Sequence, residues 1–357
     1  MKVLIISDYN APYGGNFIES LKQLNILCTE TNNSLYYLFP QRTNNKKWID
    51  ELKKLSNNNV YFFKDDSFIG CYKMMRKIVK DNKVDILYCH FCRHKIQVSI
   101  KLFSILNHKK LVSHFHNHCK SSNNMIKNII IKFAYWFYKG NLNIGCSKSV
   151  MESMPYNKKI CSYVDNGIDF KRLDNYKNIS LKNSNNERII LMFGFDYYRK
   201  GIDVAIKAIK KLNRKDIILA ISLASNQDKV EKNIIDEFGE IPPFIKFLNP
   251  INDIATYYKA SNIFLSAARE EGFCYSLVEA AYCGTKIISS NIDGVPKEIP
   301  GEVLFECGNS DDLASKINIM ISNKVDKNAK EYVINNYGID KWSKKIMENI
   351  KILFDED

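Results

Sequence analysis

Two carboxylates, Glu271 and Glu279, stand in the segment Arg269-Glu270-Glu271-Gly272-Phe273-Cys274-Tyr275-Ser276-Leu277-Val278-Glu279-Ala280-Ala281-Tyr282-Cys283-Gly284. The apolar run 262–266 before it reads as a strand leading into a loop, and the spacing predicts a helix capped by Ser276 and ended at Gly284. Glu271 then stands on the loop and Glu279 in the first helical turn, so both can face one cleft. A helix N-terminus opening there is a ready place for an anion such as a diphosphate. Ser276-x-x-Glu279 also fits a capping box, in which Glu279 only satisfies backbone donors, so both readings of Glu279 stand. Arg199 and Lys200 precede a helical pattern from Ile202, where cations and backbone donors can converge on phosphates, or where they form no more than an exposed pair. Gly14 and Gly15, in the loop Asn10-Ala11-Pro12-Tyr13-Gly14-Gly15, allow either a close backbone approach to a ligand or a plain tight turn.

All six histidines lie between residues 90 and 118, with Cys89-x-x-Cys92 and His114-x-His116-x-His118-Cys119 among them. A Cys/His zinc site is one reading. Against it, Cys89 ends a run that reads as a buried strand, where alternate residues point to opposite faces.

The elements that must position these groups alternate along the chain. Strands are expected at 3–6, 35–39, 60–63, 85–89, 111–114 and 142–146, with helices near 16–24, 46–56, 70–82 and 93–106. The pattern breaks around Val164-Asp165-Asn166-Gly167-Ile168-Asp169, and the polar stretch 178–187 has linker composition. A second set follows, with strands at 188–193, 217–221, 245–248, 262–266 and 286–289, each followed by a helix, and a long helical pattern from about 340 to 354. Short apolar runs separated by helical periods imply parallel sheets with crossover helices, hence two α/β domains bounding a cleft. Ligands of such sheets bind at the carboxyl ends of the strands.

The chain has 357 residues and a net charge of +13. Residues 1–180 hold 28 Lys and Arg against 13 Asp and Glu, a net +15, while residues 181–357 hold 24 against 26, a net −2. An excess confined to one half suggests nucleic acid, an anionic membrane surface or a polyanionic substrate facing that half. The apolar stretch Met125 to Tyr138 is interrupted by Lys127, Asn128 and Lys132 and is too short to span a bilayer, which takes roughly 20 residues. Its residues Ile126, Ile129, Ile130, Phe133, Trp136 and Phe137 can form one face of an interfacial helix bordered by lysines, or an ordinary core-facing stripe. Only four strongly apolar positions follow Met1-Lys2, too few for a secretory signal, so the expectation is a cytoplasmic protein with its ten cysteines reduced. No Gly-x-Gly-x-x-Gly follows the first strand and no Gly-x4-Gly-Lys-Ser/Thr loop is present, which disfavours dinucleotide oxidoreductases and P-loop enzymes. The one Asp-x-Asp triplet is Asp355-Glu356-Asp357, at the chain end.

The segment Glu271 to Glu279, with its Glu-Gly-Phe start and Glu-Ala-Ala-x-Cys-Gly end, resembles the donor-binding signature of glycosyltransferase family 4, retaining enzymes of the GT-B fold. Pro12-Tyr13-Gly14-Gly15 is similar to the family's glycine loop, Asp85-Ile86-Leu87-Tyr88-Cys89-His90 to its Asp-x-x-x-x-His strand, and His114-Phe115-His116-Asn117 to its His-containing strand end. Cys146-Ser147-Lys148, Asn166-Gly167-Ile168-Asp169 and Arg199-Lys200-Gly201 follow in the family's order. The resemblance implies two Rossmann-like domains facing across a cleft: an acceptor-side domain over 1–170, with the C-terminal helix 338–357 packing back on it, and a donor domain over 178–337. It further implies donor contacts from Gly14, Gly15, Arg199, Lys200, Gly272, Phe273, Cys274, Ser276, Leu277 and Glu279, with Glu279 on the ribose and Glu271 on the sugar hydroxyls. His116 would sit beside the reacting sugar, with His90 and His114 on the acceptor side. The implied activity is retaining transfer from a UDP- or GDP-linked sugar to a glycan or lipid-linked acceptor in surface-polysaccharide assembly, without metal or other cofactor. Implied partners include an anionic membrane surface at the inner face of the cell membrane and exclude nucleic acid. Two departures stand out. Phe195 follows Gly194 where the family has arginine, with Arg199 a candidate replacement, and Asn249-Pro250 occupies a loop where glycine is common, beside the nucleotide base. A basic nucleic-acid-binding protein and a non-catalytic nucleotide-sugar-binding relative are the alternatives.

Overall fold

The computed structural model describes residues 1–11, 14–122, 124–223 and 226–355; Pro12 and Tyr13 of the glycine loop, and Glu356 and Asp357 of the terminal triplet, lie outside them. The chain forms two compact units, Met1–Ile168 with Ile339–Asp357, and Asp169–Gly338.

The first unit runs β1 (Lys2–Ile6), α1 (Gly15–Glu30), β2 (Ser34–Pro40), α2 (Lys47–Leu55), β3 (Val60–Phe63), α3 (Phe68–Asn82), β4 (Ile86–His90), α4 (His94–Leu106), β5 (Lys110–Phe115), α5 (Met125–Trp136), β6 (Leu142–Gly145), α6 (Lys148–Ser153) and β7 (Cys161–Tyr163). Its seven strands are parallel in the order β3-β2-β1-β4-β5-β6-β7. The central strand β1 explains why the sequence reads as a continuous apolar run. Val3 and Ile5 enter the core beneath α1, while Leu4 and Ile6 enter the opposite core beneath α3 and α4, and all four are fully buried.

The second unit runs β8 (Arg188–Phe193), α7 (Ile202–Leu212), β9 (Ile217–Ser222), α8 (Gln227–Phe238), β10 (Ile245–Leu248), α9 (Ala255–Lys259), β11 (Ile263–Ser266), α10 (Tyr275–Tyr282), β12 (Lys286–Ser290), β13 (Val303–Phe305), α11 (Ser310–Ser322) and α12 (Ala329–Tyr337). Its sheet is also parallel, ordered β10-β9-β8-β11-β12-β13. The final helix, α13 (Ile339–Asp355), belongs to the first unit. Its Trp342, Ile346, Ile350 and Leu353 are buried with Val3, Leu24 and Cys28.

Both sheets reverse strand order at one place, between β1 and β4 in the first unit and between β8 and β11 in the second. Loops leaving adjacent strands in opposite directions open a crevice there, which is where open α/β sheets bind ligands. In the first unit Asp8, just past β1, accepts from Arg42 after β2 and from Arg93 after β4, so three strand ends are tied at this edge.

Several expectations shift. Helix α1 runs to Glu30 because Leu24, Asn25 and Cys28 continue its buried face. Strand β4 runs through His90 instead of ending at Cys89, and His90 pairs in register with His114. Strands β7 and β13 are only three residues long, too short to show a period of two in the sequence. Trp342 is 3% exposed within the core of the first unit. Trp342→Ala should therefore cost about 3–5 kcal/mol of that unit's stability, as a buried aromatic truncation does; denaturant unfolding reads this, and an unchanged midpoint would refute the packing.

Candidate active site

In the second unit, the loops leaving β8 and β11 are locked together at the point where strand order reverses. Gly201 has φ +68°, and a Cβ there would lie 1.9 Å from the Ala267 carbonyl oxygen, so only glycine lets the turn 199–201 approach the end of β11. Arg269 clamps the same junction: its Nη1 and Nη2 donate to the two Asp203 carboxylate oxygens at 2.8 and 2.7 Å, and its guanidinium lies 3.9 Å over the Tyr198 ring. Such a bidentate pair fixes orientation as well as distance.

This junction presents Arg199, Lys200 and Glu271 together. Lys200 Nζ forms an ion pair with Glu271, both side chains being largely buried. Phe195, at the place of the expected arginine, lies beneath both cations, 4.8 Å from the Arg199 guanidinium and 5.2 Å from Lys200 Nζ. Gly294 closes the other side of the loop. Its φ is +80°, a Cβ there would meet the Glu271 carbonyl oxygen at 2.0 Å, and its own carbonyl accepts from Cys274 N at 3.0 Å.

Helix α10 starts at Tyr275 with Cys274 as N-cap, which corrects the expected Ser276 cap. Ser276 is already inside the helix and Glu279 is its fifth residue, beyond the first turn, so no capping box forms. Instead the buried Glu279 is bound by Arg172, and its Oε2 accepts from Tyr258 Oη at 2.9 Å. Burial opposes the charge on Arg172, yet the Glu279 carboxylate and its acidic neighbours hold its pKa above the ordinary value. Burial, then Glu279, push the Tyr258 hydroxyl well up, so it stays a proton donor. Phe273, Cys274 and Leu277 turn their side chains into the core.

Arg172 escaped the sequence reading. It lies on the short 3-10 turn Phe170–Leu173, three residues beyond the Asn166–Asp169 motif, in a stretch that reads as interdomain connection but belongs to the second unit. The single signal was a basic residue flanked by Asp169 and Asp174.

The remaining expected site residues belong to the first unit. Gly14 precedes α1 and its carbonyl accepts from Tyr9 Oη at 3.1 Å, while Gly15 has φ +54°. His90 on β4, His114 on β5 and His116 just beyond the end of β5 cluster with ring centroids 4.4–4.6 Å apart, and Phe91 stacks on His116 at 3.6 Å. Tyr88 Oη bonds His114 Nδ1 at 2.7 Å. His90 Nδ1, His114 Nε2 and both nitrogens of His116 are buried without a hydrogen-bond partner among the described residues. Burial drives all three below the ordinary imidazole range, His114 to about 3, so each is neutral at working pH. Neutral rings can accept a hydrogen bond from a ligand. One nitrogen from each also lies within 4.8 Å of the other two, so these three could hold a metal ion. The cysteines of the zinc reading do not join them: Cys89 faces the opposite core and Cys92 Sγ donates to the Ile6 carbonyl. His118 Nε2 instead lies 3.1 Å from Ser149 Oγ.

Residues 174–338 match the family described as glycosyl transferases group 1. The segment is similar to that family over less than half of the chain. The match covers β8 to α12, including Lys200, Glu271 and Glu279, and begins just after Arg172. The chain is 22% identical over 277 residues to the phosphatidylinositol N-acetylglucosaminyltransferase gpi3 subunit of Schizosaccharomyces pombe, covering 74% of this chain and 59% of that one. It spans less than two thirds of the length of the first curated relatives it matches. Among solved structures it is similar to a glycosyltransferase from Rickettsia africae, with a TM-score of 0.77 at 18% identity over 100% of this chain and 99% of that one. Anabaena HepE in complex with UDP and glucose gives a TM-score of 0.74 at 17% identity over 98% and 99%. The fold is thus the GT-B fold of glycosyltransferases, two α/β units with parallel sheets.

The depressed imidazole pKa values have a stability consequence. A histidine that binds its proton more weakly when folded contributes stability above about pH 6.5, and that stability is lost as the pH falls toward the folded value, at about 1.4 kcal/mol per pH unit. For His114 the window runs from about 6.5 down to about 3. The wild type should therefore lose melting temperature between pH 7 and pH 5 more steeply than His114→Gln, whose amide does not titrate; equal slopes would refute a buried neutral imidazole.

Proposed function

We propose that the protein is a retaining glycosyltransferase that moves a sugar from a nucleotide-sugar donor to a glycan or lipid-linked acceptor in surface-polysaccharide assembly. One observation carries the reading. Two carboxylates, each held by its own cation, sit beside the strand-order reversal of a segment that is similar to the glycosyl transferases group 1 family. A departing nucleoside diphosphate gathers negative charge, and catalysis is then largely positioning and charge stabilisation. Lys200 and Arg199 supply the positive charge, Glu271 the acceptor for sugar hydroxyls, and Glu279, oriented by Arg172 and Tyr258, the acceptor for the ribose. His116, neutral and with both nitrogens unpartnered, bonds a hydroxyl at the reacting sugar.

The donor is a UDP-linked sugar on this reading, supported by the UDP and UDP-glucose held in the HepE structures. A lipid-linked acceptor is supported by the name of the gpi3 relative, which places its transfer on phosphatidylinositol. Cationic side chains replace a metal at the diphosphate, and activity persists in EDTA. Loss of activity on chelation, restored by one divalent metal, would refute this and turn attention to the three histidines.

Calorimetric titration with UDP, GDP and their sugars is the deciding experiment; no binding by any of them overturns the proposal. Lys200→Met removes a charge-assisted contact and strands Glu271, so donor affinity should fall about 10- to 100-fold, corresponding to about 1.5–3 kcal/mol. His116→Ala should lower kcat far more than it weakens donor binding, because contacts made in the transition state act on the rate.

A further inference from the structure

Helix α5 turns its apolar side away from the protein. None of its residues is buried; Met125, Ile126, Ile129, Ile130 and Phe133 are 61–76% exposed and Trp136 is 46% exposed. At the helical spacing these six fall within an arc of about 140°. Lys132 borders that arc on one side and Lys127 lies beyond it on the other. The opposite side is tied to the unit: Tyr135 Oη accepts from Lys120 N at 2.6 Å, its carbonyl accepts from Tyr156 Oη at 2.7 Å, and Asn128 Oδ1 accepts from Ser122 N at 3.5 Å. The apolar face is therefore held outward by fixed contacts on the inner one.

Charge selects the occupant of that face. Between Asp85 and Glu152 there is no acidic residue and there are ten Lys and Arg, a stretch that runs from β4 to α6 with α5 inside it. A second copy of this chain would bring like charge against like charge. An anionic lipid surface matches both features, its acyl boundary taking Ile, Phe and Trp while its headgroups take the lysines. The inner side of the same helix helps to line a cavity of about 340 Å³, with Tyr135 and Tyr138 on one wall and Phe91, His114, His116 and His118 on others.

We propose that α5 docks the first unit onto an anionic bilayer and so brings the mouth of this histidine-lined cavity to headgroup level, where the polar head of a membrane-borne amphiphile enters it. The docking stands on α5 alone; naming the amphiphile as acceptor rests on the proposed glycosyl transfer. Vesicles of phosphatidylcholine, with and without phosphatidylglycerol, test it with the full chain and no donor. At low salt the protein should sediment with the anionic vesicles and about tenfold less with the neutral ones, and high salt should release it. Of the three tryptophans, Trp48 and Trp342 are buried, so a blue shift on binding reports Trp136. Ile126→Glu with Ile130→Glu and Phe133→Glu should lower vesicle binding at least about tenfold while leaving the melting temperature and donor titration unchanged, because these positions are exposed. Should that variant misfold, Lys127→Glu with Lys132→Glu carries the same expectation. Negligible binding of the wild type to anionic vesicles at low salt overturns the docking, as does equal binding by the glutamate variant, or a wild-type dimer in sedimentation equilibrium that the variant abolishes. Vesicle binding without any nucleotide-sugar binding would leave the docking intact and remove the proposed transfer.

Discussion

The second unit depends on one backbone contact, the approach of Gly201 to the Ala267 carbonyl. The two loops that leave the sheet in opposite directions after β8 and β11 would otherwise splay apart, as loops at a strand-order reversal do. With no Cβ in the way, the turn at Gly201 lies against the end of β11, and the Asp203–Arg269 pair then locks what the glycine permits. Everything polar at this edge follows. Lys200 reaches Glu271 because the preceding turn is already held, and Phe195 can lie under two cations because both project from the same turn. A side chain at 201 would open the junction and separate Lys200 from Glu271 without touching either.

The two candidate clusters accommodate their buried polar groups in different ways. At the candidate site of the second unit each carboxylate is paired with a cation: Glu279 with Arg172, and with the Tyr258 hydroxyl besides, and Glu271 with Lys200. Removing one partner from such a pair is costly because the other charge stays buried. At the histidine cluster of the first unit the buried groups are imidazoles, and they shed their protons instead. Unpartnered ring nitrogens there carry a standing cost, since a buried polar atom without a hydrogen bond has lost its water for nothing in return. Such a cost is tolerable at a place where a ligand completes the bonding.

Much of the fold was legible because parallel strands buried on both faces leave unmistakable apolar runs, as Val3 to Ile6 and Arg188 to Phe193 do. Lengths and edges were less so: β7 and β13 are too short to carry a period, and the true end of β4 depends on its pairing with β5. At the candidate site, Lys200, Glu271 and Glu279 were singled out by type, spacing and the family resemblance together, whereas the partners that the structure gives them were not. Arg172 and Tyr258 are 107 and 21 residues from Glu279 in sequence, and only tertiary packing brings them to it. The capping-box reading of Glu279 failed for a local reason. The turn held by the Gly294 contact with Cys274 N starts the helix one residue beyond Cys274, which moves Glu279 out of the first turn. The outward side of α5 could not be read at all, since an amphipathic stripe has the same period whichever way it faces.

Phe195 shows how a site can lose a charge and keep its shape. An arginine at this position would add a guanidinium to an edge where Lys200 is already offset by Glu271, leaving Arg199 as the cation with no carboxylate partner among the described residues. The aromatic ring contributes no charge, but its face attracts both cations from below and limits the directions they can take. Long basic side chains lose rotamer freedom when they engage a ligand, and a ring that has already removed part of that freedom lowers the cost of engagement. The trade is one favourable charge against the preorganisation of two others. For the diphosphate of the proposed function, the strength of this edge then comes less from the number of its cations than from their being held in place before the ligand arrives.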